Sequence, residues 1–119
     1  MADNINNFPY PGQPVRGSES GRPMMALLDL LGRRWAMGVL WQLCQGGPCT
    51  FRELQNRCET ISPAVLNGRL KELRTALLVE RSGDGYRPTE LGEQLVALLK
   101  PFSHFANDWA ETLDAQVKE

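Results

Sequence analysis

TFRELQNRCETISPAVLNGRLKEL, residues 50–73, carries two helix starts with one short break between them. Thr50-Phe51-Arg52-Glu53 has the form of a capping box, in which the Thr50 hydroxyl accepts from the backbone N–H of Glu53 and the Glu53 carboxylate reaches back to the cap. A short helix over roughly 51–58 is predicted. Glu59-Thr60-Ile61 reads as a tight turn, and Ser62 can cap a second helix with Pro63 preset at its first position. That helix should run to about Ala76. Leu66, Leu70, Leu73 and Leu77 recur at helical spacing and predict a face packed on a core. The opposite face holds Ala64, Gly68 and Lys71, with Asn67 at its margin. Gly inside a helix costs about 1 kcal/mol relative to Ala. Gly68 therefore calls for a close approach from outside, by a nucleic-acid groove or by another helix.

Two helices joined by a turn of about three residues make a helix-turn-helix, whose second helix enters the DNA major groove. The next residues extend the pattern. Leu78 and Glu80 alternate with Val79 and Arg81, Ser82-Gly83-Asp84-Gly85 is turn chemistry, and Tyr86-Arg87-Pro88 reads as a returning strand. The fold class is mainly α with a small β-hairpin wing, a winged helix-turn-helix.

This reading assigns the DNA-facing residues by chemistry. Gly68 and Ala64 permit close approach to the duplex. Ser62 and Asn67 donate and accept hydrogen bonds, and Arg69 and Lys71 have the reach for bases or phosphates. Free N–H groups at Ser62-Pro63-Ala64 add a weak phosphate site. Thr50 and Arg52 sit on the preceding helix, where backbone contacts are expected, and Arg81 and Arg87 flank the wing. The blander reading of Arg69, Lys71 and Arg74 is a solvated face with ion pairs to Glu72.

Outside this unit, residues 1–20 are rich in Pro, Gly, Asn and Ser and read as an extended arm without helix or strand, leaving 21–119 as the folded domain. Phe8, Tyr10 and Val15 are apolar enough to latch onto a partner subunit; a free terminus is the alternative. Pro23 opens a helix with Met24, Leu27, Leu28 and Leu31 on one face, and Gly32 interrupts it. RRWAMGVLWQLC resumes as a second helix with Trp35, Val39 and Leu43 on one side and Met37 and Trp41 on the other, so burial on two sides is expected. Gly46-Gly47-Pro48-Cys49-Thr50 ends it, with room for a very short strand. Thr89 caps the last helix, in which Leu91, Leu95, Leu98, Phe102, Phe105, Trp109 and Leu113 follow a nearly heptad spacing. Pro101 is expected to kink or split that helix.

Composition narrows the function. The 119 residues carry a formal net charge of −1, which disfavours a generic polyanion binder. The charge is uneven, however: residues 50–88 hold seven basic residues against five acids, and residues 89–119 hold two against six. A basic body with an acidic last helix can still present a basic face. No apolar run approaches ~20 residues, and the first residues lack the basic start and apolar core of a secretory signal. A cytoplasmic location follows as the default, with no membrane contact. Cys44, Cys49 and Cys58 form no CxxC pair, and His104 is the only histidine, so neither a metal site nor a cofactor is expected. Cys44 and Cys58 read as small core hydrophobes, with a redox role for one cysteine as the alternative. No nucleophile stands at a catalytic spacing to His104, a surface residue, and no P-loop is present, so no enzyme is expected. Trp35, Trp41, Phe102 and Trp109 read as core and dimer packing. A pocket between them for a small apolar effector is the second reading.

LDLLGRRWAMGVLWQL, FRELQNRCETISPAVLNGRLKEL and YRPTELGEQL together resemble the HxlR-type winged-helix transcriptional regulators, relatives of the MarR group, over roughly residues 23–110. The resemblance implies a homodimeric bacterial regulator that reads a pseudo-palindromic operator with the helix at 62–76 and touches the flanking groove with the hairpin. It also implies a dimer interface built from the first and last helices, here Met24, Leu27, Leu28, Leu95, Leu98, Phe102, Phe105 and Trp109. Two departures stand out. Many members place a sensing cysteine just before the Pro of the first helix, where this chain has Arg22, so a thiol switch does not carry over. The wing tip bears Asp84, which repels phosphate, so wing contacts should be weak or come from Arg81 and Arg87. A winged helix that binds protein instead of DNA is the alternative function, and it gives Gly68 no purpose.

Overall fold

Thr50 and Ser62 act as the caps their positions predict. In the computed structural model, which describes residues 7–118, Thr50 Oγ1 accepts from the Glu53 N–H at 3.2 Å and the Thr50 N–H donates to Glu53 Oε1 at 2.8 Å. Ser62 Oγ accepts from the Val65 N–H at 3.2 Å. The elements run α1 (Pro23–Leu31), α2 (Ala36–Gly46), β1 (Cys49–Thr50), α3 (Phe51–Arg57), α4 (Pro63–Thr75), β2 (Val79–Ser82), β3 (Gly85–Pro88) and α5 (Glu90–Lys118).

The core is the meeting point of α2, α3 and α4. Val39, Leu40, Leu43, Leu54, Leu66, Leu70 and Leu73 are almost completely buried, and Leu78, Val79, Tyr86 and Val96 close the cluster from the wing and α5. The hairpin gains a third strand: β1 pairs antiparallel with β3, giving the order β1-β3-β2 with Cys49 opposite Tyr86 and Glu80 opposite Arg87. Two residues suffice for β1 because the same chain turns at once into the capped start of α3. The cap of the helix-turn-helix and the wing are thus one hydrogen-bonded unit.

Several expectations are corrected. On α1 it is Ala26, Leu30 and Leu31 that face the core, while Met24 and Leu28 point outward. Gly32 and the Arg33-Arg34 turn re-aim the chain, so α2 starts only at Ala36, with Trp35 held in a left-handed conformation at φ 75°. On the second apolar side of α2, Trp41 packs half-buried against the core while Met37 is exposed, so the chain by itself covers that side only in part. Leu77 does not extend the leucine face of α4: the helix ends at Thr75, and Leu77 takes φ 64° with an exposed side chain. Pro101 does not split α5, which runs as one 29-residue helix. A proline removes a single ladder donor, and Ala97, whose carbonyl loses its partner, lies at the surface where water replaces it.

Residues 7–20 hold no helix or named strand and, instead of extending, fold back through successive turns, with the Gly12 N–H donating to the Gly21 carbonyl at 2.9 Å. A single isolated bridge joins Val15 to Ser18. Phe8 packs, partly buried, against the core cluster of its own chain. Arg16 fastens the arm to α1: its backbone N–H donates to Asp29 Oδ2 at 3.1 Å and its Nε to Oδ1 at 2.8 Å. Burial alone would push the Asp29 carboxyl up, but the Arg16 bonds and charge, with Arg33 nearby, outweigh it and hold that carboxyl below its ordinary value of 3.8. The expected residues 1–6 of the arm lie outside the described part.

Candidate nucleic-acid interface

The outer face of α4 is open and chemically suited to a duplex. Pro63, Ala64, Asn67, Lys71 and Arg74 are exposed, while Leu66, Leu70, Leu73 and Glu72 are buried beneath them. Gly68 is the informative residue on this face. A Cβ built there meets nothing within 4 Å, so no group of this chain requires glycine. Lys71 and Arg74 make no ion pair among the described residues. The phosphate site at the helix start is thinner than expected. Pro63 carries no N–H and the N–H of Val65 is taken by Ser62 Oγ, which leaves the N–H groups of Ser62 and Ala64.

Arg69 departs from a freely exposed reader. Its side chain is 22% exposed and its Nε lies 3.3 Å from Glu72 Oε1. Glu72, expected to be a surface partner, is buried and bound on its other oxygen by Arg33 Nη1 at 2.7 Å. On α3, Arg52 is exposed beside the Thr50 cap. At the wing, Arg81 sits over the Tyr86 ring, 5.2 Å from its centroid, with Nη1 3.3 Å from the Tyr86 hydroxyl. Arg87 pairs with Glu80 at 2.6 Å. That pair is solvated and worth only ~0–1 kcal/mol. Asp84 stands exposed at the tip, as its turn position predicts.

One residue that sequence reasoning missed fixes the angle of this unit. Arg57, at the end of α3, donates from Nη1 to the Gly47 carbonyl at 2.8 Å and from Nη2 to the Gly46 carbonyl at 3.0 Å. A cation on the open carbonyls at the end of α2 is favourable on both hydrogen-bonding and dipole grounds. A basic residue in the last turn of a short helix was the visible signal; its target, two glycine carbonyls ten residues back, was not.

The last helix presents a second surface. Leu98 is 74% exposed, Phe102 67%, Phe105 63% and Trp109 57%, and every residue from 101 to 118 is exposed. Met24 and Leu28 of α1 are exposed as well, while Leu27 and Leu95 are half-buried. An apolar stripe of this length on a single chain marks a contact surface. Within the described chain Phe102 and Trp109 are exposed on α5, while Trp35 and Trp41 pack half-buried against the core. An apolar cavity of about 440 Å³ lies between the arm, α1, the end of α4 and α5, lined by residues such as Phe8, Tyr10, Leu27, Leu30, Leu77 and Leu95.

The cysteines fit packing. Cys49 and Cys58 are buried and Cys44 partly so, and burial pushes all three thiols up. A thiol held protonated is a poor nucleophile. Native protein at pH 7 is expected to react with a thiol reagent far more slowly than protein in denaturant. Fast labelling of one cysteine in the native state would identify a reactive site. Among the described residues no cluster of His, Cys, Asp and Glu could hold a metal ion, and no helix is long and apolar enough to cross a membrane.

Comparison with known proteins agrees with this geometry. The profile of the HxlR-like helix-turn-helix family matches residues 30–114. The HTH-type transcriptional regulator YodB of Bacillus subtilis is 31% identical over 103 residues, covering 81% of this chain and 91% of YodB. The crystal structure of quinone-bound YodB superposes with a TM-score of 0.69 at 34% identity, over 72% of this chain and 97% of that one. A possible HxlR-family transcriptional factor from Thermoplasma volcanium gives a TM-score of 0.64 at 28% identity, over 75% and 85% of the two chains. A protein assigned to the MarR family from Enterococcus faecalis V583 shares the fold, with a TM-score of 0.68 at 22% identity over 83% and 96%. The chain belongs to the HxlR family of winged-helix transcriptional regulators and acts in DNA-binding transcriptional regulation.

Proposed function

We propose that the chain works as a homodimer, joined along α1 and α5, that sets two copies of α4 into successive major grooves of a pseudo-palindromic operator. The observation that carries this is the exposed seam of Leu98, Phe102, Phe105 and Trp109, continued by Met24 and Leu28. Burying each such side chain contributes about 1.5–3 kcal/mol, and nothing in the described chain covers them. A two-fold dimer places its reading helices about one DNA turn, ~34 Å, apart. Ser62, Pro63, Ala64, Asn67, Gly68 and Lys71 face the bases, and Arg69, by leaving Glu72, reaches a phosphate beside them. Thr50, Arg52, Arg81 and Arg87 position the duplex through its phosphates. Such work places the protein in the cytoplasm and gives it no catalytic role. The 440 Å³ cavity has the size and lining for a small apolar effector, in keeping with the quinone bound in the YodB structure.

Selection of bound duplexes from a random pool tests the operator reading: inverted half-sites with centres about 10 base pairs apart are expected, and unrelated or single half-sites would contradict it. Gly68→Ala tests the reading face. Because the added methyl meets only open space, the free protein should gain up to ~1 kcal/mol in stability while operator affinity falls. Lys71→Ala should lower that affinity by roughly 1–3 kcal/mol. A Gly68→Ala protein that is more stable and binds as before would remove the DNA-side reason for glycine.

A further inference from the structure

Three guanidinium groups and two buried carboxylates form one connected ion cluster from the arm to α4. The side chains of Asp29 and Glu72 are 5% and 10% exposed. Arg16 holds Asp29 through its backbone N–H, its Nε and its Nη2. Arg33 lies between the two acids: Nη1 donates to Glu72 Oε2 at 2.7 Å, Nε is 3.8 Å from Asp29 Oδ1, and Nη2 donates to the carbonyl of Asn7. Arg69 Nε lies 3.3 Å from Glu72 Oε1, yet both atoms are buried and neither makes a hydrogen bond. Arg33 is therefore the firm partner of Glu72, and Arg69 the loose one.

The cluster holds one more positive charge than negative. A buried carboxylate left without a partner is costly, so each acid must keep one guanidinium. With Arg16 on Asp29 and Arg33 on Glu72, both acids are satisfied and Arg69 is the surplus cation. We propose that Arg16, in the arm, is a positioning residue for DNA binding: by satisfying Asp29 it leaves Arg33 to Glu72 and so releases Arg69 to the duplex. The proposal rests on the reading of α4 as the DNA-contacting helix. Without Arg16, Asp29 draws on Arg33, its remaining near cation, and Glu72 then retains Arg69 as its own partner. Arg16 lies outside residues 30–114, so this control sits in a segment that the family profile does not cover.

The test is binding of a labelled random-sequence duplex, followed by anisotropy across a salt series, with the full chain. Arg16→Gln should weaken binding roughly fivefold or more and flatten the slope of log affinity against log salt by ~0.9, the share of one phosphate contact. Arg16→Gln with Asp29→Asn should restore both, because the acid that captured Arg33 is gone. A merely structural role for Arg16 predicts no such rescue. The proposal is overturned if Arg16→Gln keeps the wild-type affinity and slope, or if the double variant stays as weak as the single one. Arg69→Ala separates the two levels. If it matches the wild type, Arg69 does not meet DNA and the parent reading of that residue fails too. If it weakens binding while Arg16→Gln does not, only the role of the arm falls.

Discussion

A chain carrying Phe105→Asp and Trp109→Asp should sediment as a monomer at micromolar concentration and lose roughly a hundredfold or more in affinity for a duplex with two half-sites. Both side chains lie on the part of α5 beyond the body, where every residue from 101 to 118 is exposed. The core of α2, α3 and α4 makes no use of them, so the domain should keep its helical signal and its unfolding transition. At a two-fold interface each substitution appears twice. Four carboxylates would then enter a seam now lined by Phe102, Phe105 and Trp109, with apolar burial lost and like charges facing each other. Affinity falls because two linked reading heads gain from effective concentration, and a monomer has one. Analytical ultracentrifugation beside anisotropy checks both halves. A variant that remains a dimer would place the interface elsewhere.

Gly92→Ala should destabilise the free domain by about 3 kcal/mol, the upper end of ordinary overpacking. Gly92 lies in the first turn of α5, whose cap is Thr89: Thr89 Oγ1 accepts from the Gly92 N–H at 3.0 Å and donates to the Leu77 carbonyl at 2.6 Å. These bonds draw the helix start onto the chain leaving α4. A Cβ at Gly92 would fall 2.1 Å from the Leu78 carbonyl oxygen and 3.4 Å from Leu40 Cδ1. The first obstacle is backbone, held where β2 begins, so relief requires α5 to lift away and uncover Val96 and Leu40. Gly68→Ala, also within a helix, is expected to have the opposite sign. Chemical denaturation of the two variants side by side is the check. Equal stability of Gly92→Ala and the wild type would show that α5 is seated more loosely than its contacts indicate.

The contrast between these glycines shows where the sequence is legible. Local signals carried most of the fold. Capping residues placed α3 and α4, the change from a period of four to a period of two placed the wing, and Thr89 placed α5. These depend on neighbours within a few residues, which a linear reading sees. Long-range geometry was not visible. TELG marks a helix start, but nothing local says that its glycine presses on Leu78. Glu72 beside Arg69 reads as a surface pair until Arg33, 39 residues away, is found on the other oxygen. The same limit explains α1: four apolar residues were assigned to one face, while the arm and α2 determine which of them are covered. For the α5 stripe the spacing was legible, but on the proposed dimer the surface that covers it would belong to another chain, which no local signal describes.

The length of α5 has a mechanical consequence. Residues 101–118 stand clear of the body, a rod of about 26 Å at 1.5 Å per residue. In a dimer clasped along these rods, each DNA-reading body rides at the end of a lever. A change of about 10° in how the rods cross moves the far end by roughly 4 Å, more than the ~3.4 Å rise of one base step. Whatever alters the crossing, whether a side chain in the seam or a molecule wedged at the root of the rod beside Leu95 and Leu98, works as a gear between interface and groove. The half-site spacing that the dimer accepts is then set far from any residue that touches DNA.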